Sequence, residues 1–370
     1  GRSAIEVAPP RDPCCGRPLA EPRASDPIPG YILWHFVDTF HPTPAGPIPR
    51  IKSTWQHQDW AGTLAVRLGI GRFRYEIAPG LYAVGSPGPE DPVLVTANFK
   101  LTFDSLRRAL AGRNAWILVL NTHGINVWCA AGKGTFSTEE IIRRVKAADL
   151  EKIVSRRQLI VPQLGAIGVA AHKVRKGCAF KVIWGPIRAR DLGAFLDSGC
   201  EASPDMRQVT FGFLERLVLV PVEINNLAKP FLWLLASLFL LSGIGVGFFS
   251  LSAAVTRTVM GLTAGIAGIA AGAVIAPLLL PWLPGRPFAL KGAVTGAAAG
   301  ILVAIGFWQS AVWPERLALV LFTTAVSSFL TMNFTGSTTF TSPTGVEKEM
   351  RRAIPCQTAA AGIGVAAWVF

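Results

Sequence analysis

Cysteine is sparse in this chain and is never paired at metal-binding spacing. Six cysteines stand at positions 14, 15, 129, 178, 200 and 356 of 370 residues, with no C-x-x-C among them. That pattern disfavours a resident iron-sulfur cluster or zinc site and a disulfide framework, and it fits a reducing, cytoplasmic setting. Charge is scarce too: 16% of residues are charged against 51% apolar, too greasy for one ordinary soluble fold. The first 30 residues are rich in Pro and Arg and have no apolar core, so no secretory signal is expected and the amino end is placed in the cytoplasm.

The apolar character is uneven. Most of the charge falls in the first 230 residues, and the remainder of the chain is built from Leu, Ala, Gly, Val and Phe. Three regions are expected: a Pro-rich irregular lead-in over 1–71, a cytoplasmic domain over 72–226, and a transmembrane domain over 227–370. The run Phe231 to Ser250 carries no charge over a length that crosses the hydrocarbon. Similar runs at 258–283, 288–308, 317–334 and 357–370 bring the expectation to about five transmembrane helices. No charge interrupts the centres of these runs, which favours an anchoring bundle over an ion or proton route. G-x-x-x-G spacings at Gly261, Gly265, Gly268 and Gly272, and at Gly292, Gly296 and Gly300, predict that the second and third spans pack on each other.

The formal net charge is +13. Arg286, Lys291, Lys348, Arg351 and Arg352 fall in loops expected inside, whereas the loops expected outside hold only Arg257 and Arg316. That asymmetry obeys the positive-inside rule and predicts a multi-pass protein of the cell (inner) membrane with its soluble half in the cytoplasm. It accounts for the basic balance without nucleic acid.

From Pro92 onward, strand-like and helix-like stretches alternate. PVLVTAN, AWILVLNT, QLIVPQLGA, FKVIWGPI and RLVLVPVEI read as strands, and LTFDSLRRALAG and the segments near 166–176 and 188–197 as helices. A further helix starts at Thr138, where a capping residue precedes acids and an Ile/Val stripe. This alternation predicts an α/β sheet, with ligands expected at the carboxyl ends of its strands. There Thr96, Asn98, Thr122 and Gly124, then Gly165, Ala166, Gly185 and Pro186, would form the lining loops; ordinary turn chemistry is the competing reading for each alone.

The octet Asn126 to Lys133, NVWCAAGK, resembles the signature of the mercury-methylating corrinoid proteins of anaerobic microbes. PGLYAVGSPGPEDPVLVTANFKLTFDSLR, VPQLGAIGVAAHKV and IWGPIRARDL resemble the corrinoid-binding domain shared with the corrinoid iron-sulfur protein of the acetyl-CoA pathway. The resemblance spans 72–197 and implies a Rossmann-like corrinoid-binding domain with a cap helix, followed by an all-α transmembrane bundle. It implies cobalamin or a related corrinoid as cofactor, held along the octet from Asn126, Val127 and Trp128 through Ala130, Ala131, Gly132 and Lys133. Cys129 matches the family's lower cobalt ligand. The acetyl-CoA pathway relatives lack this cysteine and carry a four-cysteine cluster motif that is absent here, which favours the mercury branch.

The residues carry a physical reading of their own. Ala130, Ala131 and Gly132 are small enough to let backbone approach a flat macrocycle. A helix start and Lys133 favour thiolate at Cys129, with Asn126 as cap. A thiolate opposite a methyl group donates strongly to cobalt and favours departure of the methyl with its bonding electrons; a radical route also fits. A buried, inert cysteine is the competing reading. His123 and His172 are not expected to bind cobalt, because D-x-H-x-x-G is missing, and AGKG at 131–134 lacks the Ser or Thr of a phosphate loop. Cys14 and Cys15 would either relay mercury or be incidental.

Methyl transfer to an Hg(II) thiolate is therefore the expected activity. The resemblance implies as partners a ferredoxin-like protein with two [4Fe-4S] clusters and a methyl donor linked to methyltetrahydrofolate. A membrane-tethered methyl carrier of acetyl-CoA-type metabolism and a non-catalytic cobalamin receptor are the alternatives.

Overall fold

The computed structural model describes residues 34–369 apart from 227, 246–247, 336–337 and 339–342. Cys14 and Cys15 lie outside the described residues. The chain divides into two compact units, one made of the residues up to Val66 with Gly71–Val209, the other of Arg67–Ile70 with Thr210 onward.

The first unit is built on a mixed seven-stranded sheet. In chain order it contains β1 (Val37–Thr43), β2 (Gly46–Ile51), α1 (His57–Arg67, whose last residue falls in the second unit), β3 (Gly80–Val84), β4 (Val93–Ala97), α2 (Lys100–Ala109) and β5 (Ala115–Leu120). Then come α3 (Val127–Gly132), α4 (Thr138–Ala147), α5 (Leu150–Ile153), β6 (Gln158–Pro162), α6 (Ala171–Cys178), β7 (Lys181–Gly185) and α7 (Leu192–Asp197). The strand order is β1-β2-β3-β5-β4-β6-β7. The strands β5, β4, β6 and β7 run parallel, while β3 is antiparallel to β5. β4 and β5 are buried at every position, as continuous Val/Leu/Ile runs covered on both faces must be.

From residue 34 onward the lead-in is more regular than its Pro content suggests. β1 and β2 form an antiparallel hairpin that joins the sheet alongside β3, and α1 is tied down by a buried ionic cluster. Asp59 Oδ1 lies 3.0 Å from Lys100 Nζ, 2.7 Å from Arg107 Nη2 and 2.8 Å from His35 Nε2. Asp104 closes the cluster, at 2.6 Å from Lys100 and 2.8 Å from Arg107. Burial alone would raise the Asp59 carboxyl, but the Gln56 amide, Arg107, Lys100 and His35 hold it well below the usual carboxylate range. Burial likewise opposes the charge on Lys100, and Asp104 and Asp59 outweigh it, so its pKa is raised.

The second unit is helical: α8 (Phe213–Leu217), α9 (Val220–Asn226), α10 (Ala228–Gly243), the small hairpin β8 (Ile244–Gly245) and β9 (Phe248–Phe249), α11 (Leu251–Ile269), α12 (Ala276–Leu279), α13 (Phe288–Gly306), α14 (Trp313–Phe334) and α15 (Pro343–Val369). A π-helical turn, Ala270–Ile275, joins α11 to α12 just before Pro277, where the ring cannot donate to the helix ladder.

Two expectations are corrected. RLVLVPVEI forms α8, α9 and their junction rather than a strand, because a short apolar run has no period that separates the two. Among the described residues three helices, not five, are long and apolar enough to cross a membrane: Leu251–Leu279, Phe288–Gly306 and Trp313–Phe334. The run from Phe231 breaks after Gly243 into the hairpin, leaving α10 with 16 residues. The first ten residues of α15 include Glu347, Lys348, Glu349, Arg351 and Arg352, and Pro355 follows, so its apolar stretch is short. Three such helices are compatible with membrane association.

The small residues of α11–α12 and α13 close on α14. A Cβ added at Gly292 or Gly296 would come within 2.5 Å of Thr331 or Ser327, and one at Gly272 within 2.5 Å of the Ser327 carbonyl. Ser327 Oγ donates to the Gly292 carbonyl at 2.7 Å and Thr331 Oγ1 to that of Gly272 at 3.0 Å. The close approach expected between the second and third spans is thus made mainly by each against a third helix. Lys291 donates to the carbonyls of Leu280 and Leu283, capping the end of α12, and Arg257 pairs with Glu315 at 2.9 Å.

Candidate cofactor site

The chain leaves β4, builds β5 on one side of it, then crosses to build β6 on the other. That reversal opens a crevice at the carboxyl ends of the parallel strands, the usual ligand position of an open α/β sheet. α3 leaves the end of β5 into this crevice and packs against β4 and the 3-10 turn Gln163–Gly165 that succeeds β6.

α3 has two faces. Val127, Ala130 and Ala131 are buried in the core with Phe136, at the i, i+3, i+4 spacing of one helix side. Trp128 and Cys129 are half-buried and Gly132 is exposed. Asn126 is the N-cap, its side chain accepting from the Cys129 amide at 2.9 Å. The two alanines therefore serve the sheet, and the open side of the octet belongs to Trp128, Cys129, Gly132 and half-buried Lys133. With six residues, α3 is too short to develop a full macrodipole.

The remaining predicted residues divide the same way. Thr96, Asn98 and Thr122 are buried, as are Gly165, Gly185 and Pro186, whereas Gly124 and Ala166 are half-buried at the rim. Asn98 Oδ1 accepts from the amides of Thr122 and Gly124, both at 3.0 Å. His123 is exposed with φ 54, a left-handed conformation uncommon outside glycine.

Sequence reasoning missed the residues that hold this loop from behind. Glu140 accepts from the Asn121 amide at 2.8 Å and pairs with Arg143 and Arg144. Its signal is the Ser137-x-x-Glu140 spacing: Ser137, one residue before the expected start, caps α4 through the Glu140 amide. Thr138 instead accepts from the Ala170 amide at 2.8 Å. A Cβ at Gly168 would lie 2.1 Å from the Phe136 carbonyl and 3.2 Å from Ala131, so the loop after β6 clasps α3 at contact distance.

The open side suits a large flat ligand. A Cβ built at Gly132 or Gly134 meets no atom within 4 Å, and Ile167, on the loop that clasps α3, is 76% exposed. The adjoining cleft, lined by Asn121, His123, Thr135, Ser137, Glu139 and Arg143 among others, holds about 270 Å³. That is below the ~300–1,000 Å³ of pockets that enclose a ligand. One soft sulfur donor beside the bare backbone of Gly132 and Gly134 and the exposed side chain of Ile167 would suit a corrinoid. Among the described residues, no group of three His, Cys, Asp or Glu side chains could hold a metal ion directly.

The comparisons with known proteins fall on this unit. Residues 72–195 match the family described as CO dehydrogenase/acetyl-CoA synthase delta subunit. The acetyl-CoA decarbonylase/synthase complex subunit gamma of Archaeoglobus fulgidus is 32% identical over 140 residues, 36% of this chain and 29% of that protein. The corrinoid/iron-sulfur protein large subunit of Moorella thermoacetica is 32% identical over 117 residues, 31% of this chain and 26% of that protein. The chain thus spans less than a third of the length of these relatives. Through its sheet domain it is related to corrinoid proteins of the acetyl-CoA pathway.

Proposed function

We propose that this chain is a membrane-associated corrinoid methyltransferase that gives a methyl group to Hg(II), forming methylmercury, with Cys129 as the lower cobalt ligand. The observation that supports it is the position of Cys129: half-exposed, on the outer face of a short helix lying in the switch-point crevice. When bound, the corrinoid supplies a cobalt-borne methyl group for transfer to a soft, thiol-held metal.

The chain's own residues do the holding. Asn126 fixes the Cys129 amide, and Val127, Ala130 and Ala131 anchor α3 in the core. Gly124, Trp128, Gly132, Lys133 and Ala166 stand at the open rim, with Thr96, Asn98, Thr122, Gly165, Gly185 and Pro186 behind it. With a corrinoid held there, the sulfur of Cys129 would be a strong donor to the metal, a property that would favour release of a methyl group to a soft acceptor. A ferredoxin-like protein with two [4Fe-4S] clusters as reductant and a methyl donor linked to methyltetrahydrofolate complete the proposal. The apolar helices would anchor the site at the cytoplasmic face of the cell membrane.

A second reading, a membrane-tethered methyl carrier of acetyl-CoA-type metabolism, is favoured by the names of the relatives. The two differ at one atom. Full-length protein reconstituted with hydroxocobalamin will show thiolate-to-cobalt absorption that Cys129→Ala removes, and cells carrying that variant at equal protein level will make no methylmercury. Undiminished methylmercury formation by Cys129→Ala would refute the first reading. A spectrum insensitive to that substitution supports the second.

A further inference from the structure

Asn98 lies just past β4 and is only 1% exposed, and its amide is committed to its neighbours. Besides the Thr122 and Gly124 amides, its Oδ1 lies 2.8 Å from the Thr122 hydroxyl. That hydroxyl is also 2.7 Å from the Ile125 carbonyl, so its one proton is shared between two acceptors. On the other side, Asn98 Nδ2 donates to Glu76 Oε2 at 3.1 Å. Glu76 is bridged to Phe99, and its Oε2 would lie 3.3 Å from a Cβ at Gly124.

The segment held in this way is a sharp reversal. His123 and Gly124 are consecutive left-handed residues, φ 54 and φ 68, and they turn the chain from the end of β5 into Asn126 and α3. A non-glycine residue in that region is sterically disfavoured, so the reversal needs external bonds to persist. One Asn98 oxygen accepts from both of its sides, and Glu76 orients Asn98: the carboxylate can only accept, which turns the NH₂ toward it and the Oδ1 toward the loop.

We infer that Glu76 and Asn98 are positioning residues that clamp the 122–125 reversal and thereby set where Cys129 stands. Asn98 acts on the site through the backbone, not by touching the cofactor. The consequence for cobalt rests on the reading of Cys129 above; the clamp itself does not.

Asn98→Asp keeps an oxygen for the loop but sets a second carboxylate oxygen against Glu76. Adding Glu76→Gln restores a donor at that contact. Amide exchange of the full-length chain in detergent, read by peptide mass, tests this without any cofactor. In Asn98→Asp, exchange over 121–132 will rise about tenfold or more, the scale of one broken charged or buried contact, while the strands 115–120 and 158–162 stay protected. The double variant will return to within about threefold of the natural chain, and Glu76→Gln alone, which can still accept from Asn98 but no longer only accepts, will raise exchange less than Asn98→Asp does. After addition of hydroxocobalamin, the thiolate-type fraction will fall in Asn98→Asp and recover in the double variant.

Unaltered exchange over 121–132 in Asn98→Asp, loss of protection across the strands as well, or failure of Glu76→Gln to compensate would each overturn the clamp. If exchange shows the expected pattern while the natural chain shows no thiolate-type spectrum, the clamp stands and the cobalt role of Cys129 falls.

Discussion

Asn126 and Cys129 are tied across the first turn of α3: the side-chain oxygen of one accepts from the backbone amide of the other at 2.9 Å. A six-residue helix cannot hold itself in water, so this cap and the core contacts of Val127, Ala130 and Ala131 set its geometry. Asn126→Ala removes about 1 kcal/mol of capping. Exchange of the 127–132 amides will rise about fivefold and the rate of methyl transfer will fall, whereas Asn126→Asp, which keeps the acceptor, will stay close to the natural chain. Peptide-resolved exchange of the three proteins checks it.

Gly168 offers a second handle on α3. A methyl group there collides with the Phe136 carbonyl and crowds Ala131, so Gly168→Ala will cost about 1–3 kcal/mol by overpacking. The loss will show as a lower unfolding midpoint for the sheet domain together with weaker cobalamin retention. Gly132→Ala, at a position open to solvent, will leave the midpoint unchanged.

The buried cluster of Asp59, Lys100, Asp104 and Arg107 carries a pH prediction. The folded pKa of Asp59 is depressed, so its contribution is fully present above the unfolded value near 4 and is lost as pH falls through the folded pKa. The folded pKa of Lys100 is raised, so its contribution is full below about 10.5 and is lost as pH rises through the folded value. Stability from this cluster will therefore be flat from about pH 5 to pH 10. Asp59→Ala leaves one buried carboxylate, Asp104, against two buried cations and will cost about 3–5 kcal/mol at neutral pH. Urea unfolding of both proteins at about pH 2, 7 and 10 measures this, and a cost that does not shrink at the lowest pH would contradict it.

In the helical unit, Ser327 faces Gly292 and Gly296 at contact distance. Ser327→Ala removes its bond to the Gly292 carbonyl and will cost only about 0.6 kcal/mol, the typical worth of a polar contact between membrane helices. Gly296→Val inserts bulk against Ser327 and the Thr323 carbonyl, separates α13 from α14, and will lower resistance to unfolding in detergent far more. Comparing the two variants by denaturation in mixed micelles distinguishes packing from hydrogen bonding as the main source of cohesion.

Much of the sheet was readable from local pattern. PVLVTAN, AWILVLNT, QLIVP and FKVIWG are the strands β4 to β7, and the segment after Ser137 is α4, because an apolar run bounded by turn residues and a cap followed by acids are local signals. RLVLVPVEI misled because its run is equally apolar in either conformation. The run from Phe231 misled because hydropathy does not register where Gly243 and its neighbours leave the helix. The hairpin and helix of residues 37–67 escaped notice since Pro-rich composition hides a pairing that only the edge of the sheet rewards.

The linear order of residues determined the chemistry at hand: one soft sulfur in an octet of small residues, an apolar carboxyl-terminal half, and a capped helix beside the octet. The tertiary structure decided which of these face outward. Ala130 and Ala131 turn into the core while Cys129 stays half-buried on the other face, and Asn98, a candidate for contact with the cofactor, is bound to the loop of residues 122–124. That division was not legible beforehand because burial of a helix face and the partners of a buried amide depend on strands and loops distant in sequence, brought together only when the sheet closes around β4.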